Sequence, residues 1–286
     1  GRAGRGMSKL PDTPLLLSGC IGGPVVILLC TPLRNALTLG AQDSKSNLRL
    51  LYRKVFRGGV QAGWTGGVSP AVVACPQFLA LSPIYHFLNS HSRELLGLDG
   101  AHGHAVLPSC IAAVGAGLTE TLLTFGSQSR NAQMAYNVQA PGQAVPLFQP
   151  YRPWGPGACF FVLRNACGMG GIRWLSPSVQ EVLRPLLPSG PREIAADLLA
   201  STMTCAVSAP LNLAWTYVVT TPGLWRQPAH ERCAALAAHL RRQYFEGGAS
   251  QRLAARDLGA RCVYVACCFS MFSGIERLMT AYWPIG

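Results

Sequence analysis

Residues 14–39, PLLLSGCIGGPVVILLCTPLRNALTL, and residues 46–57, SNLRLLYRKVFR, together decide how the whole chain is read. The first stretch holds a single charge, Arg34, and exceeds the ~20 residues a helix needs to cross a ~30 Å hydrocarbon core. In the second, Leu48, Leu51, Tyr52, Val55 and Phe56 recur at helical spacing while Arg49, Arg53, Lys54 and Arg57 fall elsewhere. That pattern predicts an amphipathic helix lying in the plane of a membrane interface. An apolar rod followed by a basic surface helix suits a bilayer: hydrocarbon for one, anionic headgroups for the other.

The same alternation continues along the chain. Further apolar stretches occupy residues 68–89, 106–131, 157–180, 194–220 and 260–281. Prolines and glycines interrupt most of them, which membrane helices tolerate because neighbouring helices re-satisfy the backbone. Gly19, Gly22, Gly23, Gly115, Gly117, Gly168, Gly170 and Gly171 are expected to let helices approach closely. A second surface helix is expected between the fifth and sixth stretches, with Cys233, Leu236, Leu240 and Tyr244 on one face and Arg232, Arg241 and Arg242 on another. The corresponding middle segment, residues 145–151, is short and proline-rich. Span, surface segment, span therefore repeats three times, at a period of about 85–95 residues. Pro32, Gly126 and Pro210 mark similar points late in the odd stretches.

Composition agrees. Only 13% of the 286 residues are charged, against roughly 25% in a soluble domain, so the chain calls for a second apolar solvent. The net charge of +12 would also suit a nucleic-acid binder, but the basic residues fall between the apolar stretches. They are not interleaved with aromatics as in a single-strand groove, and no nucleic-acid partner is expected. Eleven cysteines are scattered without a C-x-x-C pair, which excludes paired zinc spacing, and a disulfide framework belongs to short secreted chains, so reduced thiols are expected. No secretory signal peptide is expected, because no small-residue cleavage site follows the first apolar run.

Ionisable residues inside apolar spans mark function by default, since uncompensated charge there is expensive. Arg34, Glu120, Arg164, Arg173, Asp197, Arg261 and Glu276 qualify. Arg164 and Arg261 are cavity or substrate contacts, or they pair with carbonyls and helix ends. Glu120 has Arg34 or Arg164 as a candidate partner. Arg173, Asp197 and Glu276 lie nearer span ends, where snorkelling to the interface accounts for them. His102-Gly103-His104 has no further ligand nearby for a metal. Gly168-x-Gly170-Gly171 follows a helix-like span rather than a strand and is no dinucleotide loop. No nucleophile-and-base spacing is present, so neither catalysis nor a cofactor is indicated.

At this point the residues resemble a known family, the mitochondrial carriers, whose three repeats each carry P-x-[DE]-x-x-[KR]-x-[KR] and then [DE]-G-x-x-x-x-[WYF]-[KR]-G. Gly59 through Trp64, Thr65 and Gly66 is similar to the second motif, with Gly58 in the acid's place, and Glu246-Gly247-Gly248 to its start. Thr31-Pro32-Leu33-Arg34-Asn35 and Ala209-Pro210-Leu211-Asn212-Leu213 resemble the first, and Leu122 through Gln128 is its middle version. Ser273 through Leu278 resembles the family's last-helix ending.

The resemblance implies an all-α membrane protein with six transmembrane helices in three pseudo-symmetric repeats, residues 10–100, 101–188 and 189–286. It implies the mitochondrial inner membrane, cardiolipin as a bound lipid, and transport of a small metabolite by alternating access, with no enzyme activity. Arg164, Asn165 and Arg261 would line the site. By the same comparison the gate positions are Arg34, Gln128 and Asn212 at the acids and Leu37, Asn131 and Trp215 at the bases, so no ion pair of the family's ring survives. The opposite gate becomes His86 with Asn89, Ser178 with Glu181, and Glu276 with Met279. Gln128, Asn131 and Asn212 are expected to hydrogen-bond across helices instead. Even-helix substrate contacts carry over, within about a turn, to Val73, Asn165-Ala166 and Val263. Loss of both charge rings keeps a second reading open, a transport-inactive scaffold, adaptor or structural subunit of an inner-membrane protein complex.

Overall fold

The computed structural model describes residues 13–43, 46–98, 106–221, 223–246 and 248–282. The His102-Gly103-His104 loop and Gly247 lie outside that set, as do the side chains of Glu276 and Met279. The described residues form helices and turns, with no strand among them.

Helix α1 (Thr13–Gly40) carries Pro24 and Pro32 within it. After α2 (Leu48–Val55) and a 3-10 turn (Val60–Trp64), α3 spans Val68–Leu95 with Pro76 and Pro83 inside. Helix α4 (Val106–Gln139) leads through an extended, proline-containing stretch to α5 (Ala158–Gly170). A π-helical turn, Gly171–Leu175, joins α5 to α6 (Ser176–Leu183). Then follow α7 (Ser189–Thr220), with Pro210 inside, α8 (Ala229–Tyr244) and α9 (Gly248–Tyr282). Helices α1, α3, α4, α5, α7 and α9 each pack on the next, and α9 packs back on α1, so these rods close a ring.

Among the described residues, four segments are long and apolar enough to cross a membrane: Gly19–Gly40, Val60–Leu95, Val106–Gln139 and Ser189–Thr220. The outward faces fit that solvent. Leu107, Ile111, Val114, Leu118 and Leu122 make an exposed stripe along α4, and Leu199, Met203 and Val207 line α7 in the same way. Residues spaced three and four apart share a helix face, and exposed apolar stripes of this length mark contact with another apolar phase. The two remaining expected spans are more polar or less regular. Arg252, Arg256, Asp257 and Arg261 occupy the first half of α9, and the π turn interrupts the rod of α5 and α6.

The surface helices form as their sequences require, with one correction. In α2, Asn47 caps the N-terminus by accepting from Leu50 N at 2.9 Å, Leu51 and Val55 are buried, and Arg49 and Arg53 are exposed. The buried face of α8 is Leu236, His239 and Gln243, whereas Cys233, expected inside, is exposed. The face turns because the His239 ring stacks on Tyr217 of α7, with centroids 3.9 Å apart. A polar aromatic with a flat partner here outcompetes a small thiol for the interior.

Close approach is selective. A Cβ on Gly117 would lie 2.7 Å from Ala166 N and 2.9 Å from Val162 O, so α4 and α5 meet backbone to backbone there. Gly168 and Gly170, expected to do likewise, face open space with nothing within 4 Å. It is their neighbour Gly171 whose added Cβ would run into the Thr204 side chain of α7. All eleven cysteines are free thiols.

Candidate functional site

Three arginines from three helices point into the ring. Arg164 of α5 lies in the electrostatic field of Arg34 on α1, Glu120 on α4, and Arg261 and Tyr264 on α9. Its guanidinium stacks over the Phe161 ring at 4.0 Å and lies 5.0 Å from the Trp215 ring, contacts that stabilise a cation in a dry setting. It donates from Nε and Nη2 to Asn165 Oδ1, at 3.0 and 2.8 Å, and from Nη1 to Asn212 Oδ1 at 3.0 Å. Arg261 donates from Nε and Nη2 to Ser208 Oγ on α7, at 3.2 and 3.1 Å. Arg34 Nη1 donates to Gln128 Oε1 of α4 at 2.8 Å. Glu120 accepts from Gln77 Nε2 of α3 at 2.9 Å, so an amide rather than a guanidinium holds it.

At the C-terminal ends of α1, α4 and α7 the ring is closed by uncharged hydrogen bonds. Asn131 Nδ2 donates to Asn35 Oδ1 at 3.3 Å and to Thr65 O at 2.8 Å, while Asn35 Nδ2 donates to Gly63 O and Thr65 O at 3.0 and 3.1 Å. The turn after α2 is shaped for this. Gly66 has a φ of +74°, a region that glycine favours, and a Cβ there would meet Asn131 Nδ2 at 2.7 Å. Trp215 Nε1 donates to Ser129 Oγ at 3.4 Å, Gln133 Nε2 to Val219 O at 3.2 Å, and Gln42 Nε2 to Thr220 Oγ1 at 2.7 Å. Helix α4 is therefore tied directly to α1 and to α7, and the turn after α1 is tied to the end of α7.

The same end is anchored from outside. Arg256, at the start of α9, donates to Gly40 O at 2.8 Å, Asp43 O at 2.8 Å and Ser46 O at 2.6 Å, and pairs with Asp257 at 2.9 Å. A cation on the last carbonyls of α1 suits the negative end of that helix. Lys54 pairs with Asp43, and Gln139 Nε2 donates to Lys54 O at 2.7 Å, linking α2 to the end of α4. Burial pushes the His239 imidazole down to about 4, and Arg242 nearby acts in the same direction.

The structure thus gathers Arg34, Glu120, Arg164, Asn165 and Arg261 into one region and sets Gln128, Asn131, Asn212 and Trp215 at its closed end. Val263 is a correction. Half exposed at 51%, it faces outward, and its neighbour Tyr264 turns inward toward Arg34 and Arg164. One residue is 100° around a helix, so a carry-over uncertain by a turn could not choose between them. Sequence reasoning missed Gln77, one turn beyond Val73, and Ser208. Each is a polar residue inside an apolar stretch, which was the available signal. At the opposite end Ser178 Oγ donates within its own helix to Trp174 O at 2.8 Å, and His86 is exposed against the Tyr85 ring.

No protein-family model matches the sequence, and no curated protein is similar enough to count as a relative.

Proposed function

We propose that the chain transports a small anionic metabolite across the mitochondrial inner membrane by alternating access, using six helices in three repeats of the mitochondrial carrier kind. One observation carries this reading. Arg34, Arg164 and Arg261 reach into one helix ring from α1, α5 and α9, beside Glu120, the one carboxylate among the described residues that acts on Arg164. Cations in an apolar ring are expensive unless they serve a pathway or a ligand. The interhelical hydrogen bonds of Asn131, Trp215 and Gln42 close one end of that ring. Such an arrangement supports a site reached from the other end. Cardiolipin would meet the basic faces of α2 and α8, where Arg49, Arg53, Arg241 and Arg242 are exposed.

A second reading, a carrier-shaped scaffold or structural subunit of a membrane complex, is favoured by the uncharged closure. Asn35, Asn131 and Thr65 hold the end shut with neutral hydrogen bonds, as a static brace would. A thermal-unfolding screen of the purified chain against phosphate, carboxylates, amino acids and nucleotides separates the two. Ligand binding to the folded state raises the unfolding midpoint by mass action. A transporter gives a selective rise that disappears in Arg164→Ala. A flat panel, in protein that unfolds cooperatively and is stabilised by cardiolipin, supports the scaffold.

A further inference from the structure

The connection between α4 and α5 is built differently from those before and after it. Helices α1 and α3 are joined through the amphipathic α2, and α7 and α9 through α8, whereas residues 140–157 hold five prolines and only a 3-10 turn, Pro141–Gln143. Prolines remove the amides a helix needs, and the segment runs instead as a strap back along the C-terminal half of α4. Asn137 exchanges two hydrogen bonds with the Val145 backbone, both at 2.8 Å. Phe148 N donates to Gln133 Oε1 at 2.8 Å, and Phe148 O accepts from Arg130 Nη1 at 3.0 Å. At Arg152 the strap has reached Gly126, where an added Cβ would lie 2.6 Å from Arg152 N. Phe148 packs with Phe125, Phe161 and Trp215, so the strap is fixed to α4, α5 and α7 together.

The outward apolar stripe of α4 stops where the strap begins to cover the helix. Leu118 and Leu122 end it, and residues 123–137 of α4 include none that is exposed. Gly126 is one turn, about 6 Å, past Leu122. At that level the exposed side chains belong to the strap: Tyr151, 78% exposed, and Trp154, 43% exposed, with Arg152 between them. Arg152 is the strap's only charge. Its guanidinium lies 4.6 Å from the Phe148 ring and its Nε donates to Trp154 O at 2.8 Å, which holds the aromatic pair to the fixed part of the strap. Beyond Trp154 the outward apolar surface resumes at Leu163 of α5. Tyr and Trp collect where hydrocarbon gives way to headgroups, because each has an apolar body and a polar tip. We propose that Tyr151 and Trp154 lie in the headgroup region of the bilayer and seat the α4–α5 connection there, where the other connections use surface helices. Lipid is the occupant because the pair continues the outward stripes of α4 and α5 and has no carboxylate beside it in the strap. Through Phe148 the bilayer then holds the α4–α7 side of the closed end at a fixed depth. This seat does not depend on transport.

The test reads Trp154 emission as the difference between the parent and Trp154→Phe, each reconstituted as the full chain in phosphatidylcholine vesicles. Three quenchers are compared: lipid brominated high on the acyl chain, lipid brominated near the chain end, and iodide on both sides of the membrane. A strap seated among headgroups is quenched by the shallow bromines about twofold or more above the deep ones. Tyr151→Trp in the Trp154→Phe background moves the probe three residues along the strap and is expected to report the same shallow depth. Should Trp154→Phe fail to fold, Tyr151→Trp in the parent gives its own difference signal. Quenching by iodide with none from either lipid puts the strap in water and overturns the proposal. Protection from all three quenchers puts Trp154 under protein, a second copy or another chain, and also overturns it. Deep bromines that quench as strongly as shallow ones place the strap in hydrocarbon and overturn the interfacial seat.

Discussion

The two ends of the helix ring are built from different chemistry. At the end formed by the C-termini of α1, α4 and α7, amides and hydroxyls bond helix to helix, and Arg256 fastens α9 to the last carbonyls of α1. At the other end, Ser178 bonds its own helix, His86 lies on the surface, and a bond from Ser176 Oγ to the Asp197 carboxylate ties α6 to α7. The lesson is that a closure does not need ion pairs. Neutral hydrogen bonds across membrane helices are individually modest, about 0.6 kcal/mol on average, but here several act on the same three helices. The ion pairs at this end lie outside, Arg256 with Asp257 and Lys54 with Asp43, while inside Arg34 and Arg164 donate to the neutral amides of Gln128 and Asn212.

The largest test of that contrast is Arg256→Ala. It orphans the carbonyls of Gly40, Asp43 and Ser46 and leaves Asp257, only 15% exposed, without its cation. Breaking a buried pair in this way costs about 3–5 kcal/mol, and a large fall in the unfolding midpoint in detergent is expected.

Next comes pH. The His239 imidazole is held at about 4 in the fold against about 6.5 unfolded. The unfolded chain thus binds the extra proton first, and stability rises with pH between those values. Stability is fully present above about pH 6.5 and falls by about 2–3 kcal/mol as pH drops to about 4. His239→Phe keeps the stack on Tyr217 and is expected to flatten this slope, measured as midpoint against pH.

Asn131→Leu follows. It removes one of the two donors on Thr65 O and orphans Asn35 Oδ1, for a loss of about 1–3 kcal/mol. Smallest is His86→Ala at the opposite end. The side chain is exposed, and the change is expected to stay within about 0.5 kcal/mol. A large effect there, or none at Asn131, would erase the asymmetry between the ends.

Much of the architecture was legible because periodicity is a strong signal on long apolar stretches. The rods from 13–40, 68–95, 106–139 and 189–220 begin within a few residues of the sequence reading and run slightly longer. The surface helix at Leu48–Val55 was equally plain from its alternating cations. Three features were not legible. The buried face of α8 depends on a stacking partner in α7 that no local pattern reveals. The choice between Val263 and Tyr264 depends on a single step of helical phase. The roles of Gln77 and Ser208 depend on what faces them, Glu120 and Arg261, from other helices. The arginines themselves stood out because a charge in an apolar span needs a reason, and that argument requires no partner to be known.

The central claim is that this ring carries a small anion, and uptake into sealed vesicles tests it most directly. The purified chain would be reconstituted with cardiolipin-containing lipid, and entry of labelled phosphate, carboxylates and nucleotides measured against protein-free vesicles. The account predicts saturable uptake of at least one small anion, faster from vesicles preloaded with the same anion, and lost in Arg164→Ala. Uptake no greater than in protein-free vesicles for every anion, from protein that is inserted and unfolds cooperatively, would contradict it.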